Sequence, residues 1–99
     1  MLGIRYLAVA GPSMEPTLCD GDWVVARRGG RIGPGTLVVV EHPDRPGLLL
    51  VKRVARVVPD GYWVLGDAPS ASTDSRHFGP VADVVGRVVW RVRPWGRVR

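Results

Sequence analysis

Short valine-rich runs, each cut off by glycine, proline or aspartate, constrain this chain more than any other feature. Residues 6–10, 23–28, 36–41, 48–58, 62–65 and 85–92 read as strands. Residues 28–35, 42–47 and 59–61 read as turns or loops, because glycine and proline cluster there. No window holds a sustained helical period, and residues 80–84 have room for one turn at most. Six strands with no helices to cover them must hide their edges by closure or under loops. The expected architecture is all-β: a compact, coiled and partly closed antiparallel domain. With 99 residues it forms one domain over residues 1–99, with a frayed tail at 94–99.

One connection departs from this pattern. Residues 66–80 run for fifteen positions without a strand signal. Loops of that length in a small domain tend to be functional or disordered. This one is dense in hydroxyls and carries an Asp74-x-Arg76 pair, so it is built for hydrogen bonding.

The chemistry begins with Lys52. It is the sole lysine among 14 basic residues, and it sits in the apolar run Leu48-Leu49-Leu50-Val51-Lys52-Arg53-Val54-Ala55. A guanidinium keeps its proton in a protein, whereas a buried ammonium can lose it. On a strand, Leu48, Leu50, Lys52 and Val54 share one face, and Arg53 takes the other. Full burial lowers a lysine pKa by up to roughly 3–5 units, toward neutrality. The alternative is a side chain that snorkels to solvent.

Ser13 stands in Gly11-Pro12-Ser13-Met14-Glu15-Pro16-Thr17-Leu18. Its flanking prolines fix the backbone, so the hydroxyl is held at low entropic cost. A serine beside a neutral amine makes a nucleophile–base pair. Without that base it is an ordinary turn serine. Ser72 offers a hydroxyl able to orient the amine. Asp74 and Arg76 can brace the loop or form a surface pair of little energetic weight.

Taken together, Gly11-Pro12-Ser13-Met14-x-Pro16-Thr17-Leu18, then Val51-Lys52-Arg53-Val54, then Gly66-Asp67 and Ser72-Thr73-Asp74-Ser75-Arg76-x-x-Gly79-Pro80-Val81, resemble the motifs of type I signal peptidases. The likeness is strongest to the mitochondrial inner-membrane and Gram-positive branches. A narrower likeness, around His42-Pro43 and residues 72–81, is to small proteases that mature nickel-type superoxide dismutase. The resemblance implies the signal peptidase catalytic fold, a Ser13 nucleophile and a Lys52 general base. It gives Ser72 the task of orienting the lysine, and Asp67, Asp74 and Arg76 a supporting ion-pair network. Met14, Gly11, Val9 and Leu50 would border the substrate, which would lie extended between residues 6–10 and 49–51. Two positions depart from the pattern. Gly11 replaces a Ser or Thr that adds an oxyanion donor in some relatives, and Ala68 replaces an Asn.

The function expected is therefore a serine endopeptidase that removes an N-terminal leader or propeptide ending in small residues, with nickel superoxide dismutase as a candidate substrate. The second reading is a signal peptidase catalytic domain acting at the membrane. Lone Cys19 leaves a reducing, cytoplasmic location open, with peripheral membrane contact as an option. The apolar N-terminus is too short to span a bilayer, which needs about 20 residues. No cofactor or metal is expected, since His42, His77 and Cys19 lack ligand spacing. A Ser13–His77–Asp74 triad is a weaker alternative. The net charge of +5 and the interleaved Trp90, Arg91, Arg93, Trp95, Arg97 and Arg99 suit a basic binding module. No nucleic-acid partner is expected, however. Self-cleavage of the kind used by related repressors lacks room, with twelve residues before Ser13.

Overall fold

The computed structural model describes residues 3–93. Trp95, Arg97, Arg99 and the expected frayed tail lie outside the described residues, as does the side chain of Arg93. Six strands form: β1 (Ile4–Ala8), β2 (Trp23–Arg27), β3 (Leu37–Glu41), β4 (Leu49–Val58), β5 (Gly61–Leu65) and β6 (Gly86–Arg93). They make one antiparallel sheet in the order β1-β2-β6-β3-β4-β5. The all-β antiparallel expectation holds. Closure stops short of a barrel, since β1 and β5 remain as edges.

Both faces of this sheet carry apolar clusters, as the runs of consecutive valines require. Leu37 and Val39 of β3 join Val24, Ala26, Val88, Val9, Met14 and Leu18 on one face. Val38 and Val40 join Val54, Val64 and Val81 on the other. Register shifts in β2 against β6, between Trp23 and Val24 and between Val25 and Ala26, bend and twist that part of the sheet.

The sequence reading placed the only helical turn at residues 80–84. It lies instead at α1 (Ser75–Phe78), inside the long loop, after a 3₁₀ turn at Pro69–Ala71. The cause is a capping box. Asp74 accepts from the Arg76 and His77 amides, and His77 returns a ring nitrogen to the Asp74 amide at 3.3 Å. Gly79 then ends the turn. Asp74 three residues before His77, followed by Gly79-Pro80, was the signal available for this helix.

Candidate active site

Lys52 lies in the middle of β4, registered with Val38 and flanked on its own face by Leu50 and Val54. Only 2% of it is exposed. Burial lowers its pKa; the Asp74 carboxylate pulls the other way, and Arg76 adds to the lowering. The snorkelling alternative is excluded by this burial.

The amine donates to Ser72 Oγ at 3.1 Å. Ser72 in turn donates to Asp74 Oδ2 at 2.8 Å. A carboxylate only accepts, so the hydroxyl proton belongs to Asp74 and Ser72 receives from the lysine. Ser72 therefore leaves the amine lone pair untouched and fixes the direction in which it points. Asp74 also accepts from Gly66 N at 3.0 Å, from Arg76 N at 3.2 Å and from Arg76 Nε at 2.9 Å. Burial raises the Asp74 pKa, but these donors outweigh it and hold the carboxyl far below its usual range.

Asp67 belongs to a different group. Arg53, which follows Lys52 and points to the opposite face, grips Asp67 through Nε at 2.9 Å and Nη2 at 2.7 Å. Arg53 Nη1 also donates to the Gly35 carbonyl at 2.9 Å. Thr17 Oγ1 donates to Asp67 Oδ2 at 2.6 Å. The Arg53 hydrogen bond first, and that of Thr17 after it, hold the Asp67 carboxyl below the usual range against the effect of burial. The single network expected of Asp67, Asp74 and Arg76 is thus two networks. Arg53 and Thr17 were missed as members. Their signal was the alternation that sends Arg53 away from Lys52, and a threonine close after Ser13 in the same turn.

Ser13 sits in a turn pinned on several sides. Its carbonyl accepts from Ala68 N at 2.9 Å, and the Glu15 amide donates to the Pro12 carbonyl at 3.1 Å. The bond to Ser13 goes through the Ala68 backbone, so loop anchoring there does not need the missing asparagine side chain. Among the described residues no acceptor takes the Ser13 N–H. Gly66 matters to this packing, because a Cβ there would collide with the Ser72 side chain and the Ser13 carbonyl oxygen. Gly11 adopts φ +82°, a conformation that suits glycine, and its N–H donates to Asp20 Oδ1 at 2.7 Å. That amide is therefore not free to replace the oxyanion donor of other relatives.

Ser13 and Lys52 line the same cavity, of about 180 Å³, with Ala8, Val9, Ala10, Met14 and residues 48–51 as the other walls. Val9, Met14 and Leu50 are thus brought to it, whereas Gly11 is turned to Asp20. The Ser13–His77–Asp74 alternative fails on geometry. The His77 side chain is 57% exposed, its Nδ1 accepts the Asp74 amide, and it stands 3.8 Å from Asp74. His42 meets the Phe78 ring in a tilted contact, centroids 4.8 Å apart and planes at 53°.

A buried amine and a serine on one cavity of an open β-sheet are what a serine peptidase of the signal-peptidase type requires, and the comparisons with known proteins show that class. The chain belongs to the Peptidase S24-like family, whose model matches residues 3–89. It is 38% identical to mitochondrial ATP-independent inner membrane protease subunit 1a of Arabidopsis thaliana, over 87% of this chain and 68% of the relative. It is 35% identical to mitochondrial inner membrane protease subunit 1 of Xenopus tropicalis, over 86% of this chain and 66% of the relative. With subunit 2 of Schizosaccharomyces pombe the identity is 34%, over 64% of this chain and 46% of the relative. The chain thus spans about two thirds of the length of the first two. These relatives carry the mitochondrial branch of the resemblance, and not the nickel superoxide dismutase branch.

Proposed function

We propose that this chain is the catalytic domain of a processing peptidase that removes an N-terminal leader from another protein at a membrane surface. The observation that carries this reading is Lys52: an amine buried to 2% exposure, with a lowered pKa, held by Ser72 on the cavity it shares with Ser13. In the reaction, neutral Lys52 takes the Ser13 proton as Oγ attacks the scissile carbonyl. The unclaimed Ser13 N–H donates to the developing oxyanion. Lys52 then passes the proton to the leaving amine, and an acyl-serine remains. Water, deprotonated by the same amine, releases the leader and restores Ser13.

Substrate entry follows from the free edges. Among the described residues β1 pairs with β2 alone, and β5 reaches β4 no further than Arg53. Leu49–Lys52, paired with β3 on one side, therefore leave their other edge free across the cavity from Ala8. An extended peptide can fill this gap as an added strand. At about 30 Å³ per water, the cavity of about 180 Å³ holds roughly six waters, room for the side chains beside the scissile bond; that these are small is what the resemblance to signal peptidases implies.

The membrane reading is favoured over the cytoplasmic one by the relatives and by one surface. The β1–β2 register puts Ile4, Tyr6 and Trp23 on one face, all exposed, with Tyr6 at 68%. Tyrosine and tryptophan suit a lipid–water boundary, and Arg27 on the same face suits anionic headgroups. No described helix is long and apolar enough to cross a membrane. Nickel superoxide dismutase maturation draws no support from the relatives found.

The test is cleavage of a peptide bearing Ala-x-Ala before the scissile bond. The purified protein should cleave it, and Ser13→Ala and Lys52→Ala should lose at least about 10³-fold in kcat. The rate should climb toward alkaline pH through one ionisation below the usual lysine value of about 10.4. A profile flat from about pH 6 to about pH 10 would contradict the role of Lys52. Tyr6→Ser with Trp23→Ser should weaken sedimentation with anionic vesicles; no wild-type sedimentation would remove the membrane part alone.

A further inference from the structure

We propose that the substrate cleft carries a second, cationic subsite, formed by Arg5 and Arg28, that selects leaders with an acidic residue about six positions before the scissile bond. The proposal rests on the proteolytic reading above.

A second hollow, an open groove of about 590 Å³, is lined by Arg5, Arg28, Glu41, Pro43 and residues 80–85. It adjoins the small cavity beside Ser13 on two sides. On one side β1 runs from Ala8 in the small cavity to Arg5 in the groove, three residues or roughly 10 Å along a strand. On the other side Glu41 of the groove is registered with Leu49 of the small cavity. The two hollows therefore form one cleft between β1 and the ends of β3 and β4. A peptide whose last three residues before the scissile bond lie beside residues 8–10 brings its sixth beside Arg5.

The charges there are unequal in what they have left to give. Glu41 Oε2 already accepts the Gly47 amide at 2.7 Å, and Asp83 Oδ1 accepts the Val84 amide at 2.8 Å. Among the described residues, the side chains of Arg5 and Arg28 have no hydrogen-bond or ion-pair partner. Both are exposed. Two uncommitted guanidiniums at the end of an extended peptide track present the fork that a carboxylate matches. The site that processes small residues beside Ser13 thus gains a criterion further upstream, of a different chemistry.

Three peptides with the same Ala-x-Ala ending test this, carrying Asp, Ala or Lys six positions before the scissile bond. The Asp peptide should exceed the Ala peptide roughly 3–10-fold in kcat/KM, with Lys the poorest. The advantage should shrink as salt is raised. Arg5→Gln with Arg28→Gln should bring the Asp-to-Ala ratio to about one, and Arg5→Glu should shift the preference toward Lys. Equal rates for the three peptides, or a wild-type preference for Lys through Glu41 and Asp83, would overturn the subsite while leaving the peptidase intact. Fluorescence anisotropy of the same peptides on Ser13→Ala separates the two ideas. Tighter Asp binding that depends on Arg5 and Arg28, without cleavage by the wild type, keeps the subsite and sinks the peptidase. Charge-blind binding sinks the subsite whatever the kinetics.

Discussion

Asp67 and Asp74 lie close along one loop, and each is held by an arginine, yet they sit in opposite environments. Asp67 and Arg53 form a two-pronged pair at the rim, with side chains 19% and 26% exposed. Asp74 is fully buried, while its partner Arg76 reaches solvent at 43%. The rim pair fastens four backbone segments: β4, the loop after β5, the turn at Gly35 before β3, and the serine turn through Thr17. Fully exposed pairs contribute about 0–1 kcal/mol, and this half-buried, two-pronged pair, which solvent still reaches, stands at the upper end of that range. Asp74 instead collects donors that would otherwise be buried without partners, among them the Gly66 amide and the Ser72 hydroxyl. The first network locates the Ser13 turn at small energetic stake. The second is obligatory, because a buried carboxylate or its orphaned donors would cost several kcal/mol.

The sharpest way to break this contrast is Asp74→Ala. It should cost about 3 kcal/mol in urea unfolding and lower kcat at least about 10²-fold, since the Ser72 proton then turns toward the lysine lone pair. Acid melts sharpen it further. Asp74 titrates lower folded than unfolded, so its stabilisation is complete above about pH 5 and fades as the pH falls through its folded pKa. The wild type should lose stability steadily below about pH 4, and Asp74→Ala should show a shallower loss. Next in size, Ser72→Ala should lower kcat roughly 10–100-fold with KM little changed, at about 1 kcal/mol of stability. Smallest, Asp67→Ala should cost no more than about 1 kcal/mol, with its effect on kcat weaker than that of Ser72→Ala. If Asp67→Ala proves as damaging as Asp74→Ala, the two networks are not different in kind.

Strand content was readable because valine runs and Gly/Pro breaks are local signals. β1 was the exception. It starts at Ile4 and ends at Ala8, two residues earlier at each end than expected. Val9 still donates its amide to the Asp22 carbonyl at 2.7 Å, in register with β1 and β2, and its own carbonyl then accepts from the Gly21 amide at 2.8 Å, a turn residue before β2 that the order of residues does not reveal as a partner. The grouping of Lys52 with Ser72 and Asp74 rests on motifs that follow one another in sequence, so the resemblance could point to it. Arg53 and Thr17 escaped because their common partner, Asp67, is 14 residues from the first and 50 from the second. The open groove at Arg5 and Arg28 was equally hidden, because its lining comes from stretches far apart in the chain and not from any one run of residues.

Gly66 donates its amide into the buried network, and the very next residue, Asp67, anchors the rim one. One peptide unit is thus a joint between the network that holds Lys52 and the network that holds the Ser13 turn, the proposed base and nucleophile. Alignment of the two reactive groups is inherited from a linkage of fixed length, which leaves the enzyme little slack to absorb movement on either side.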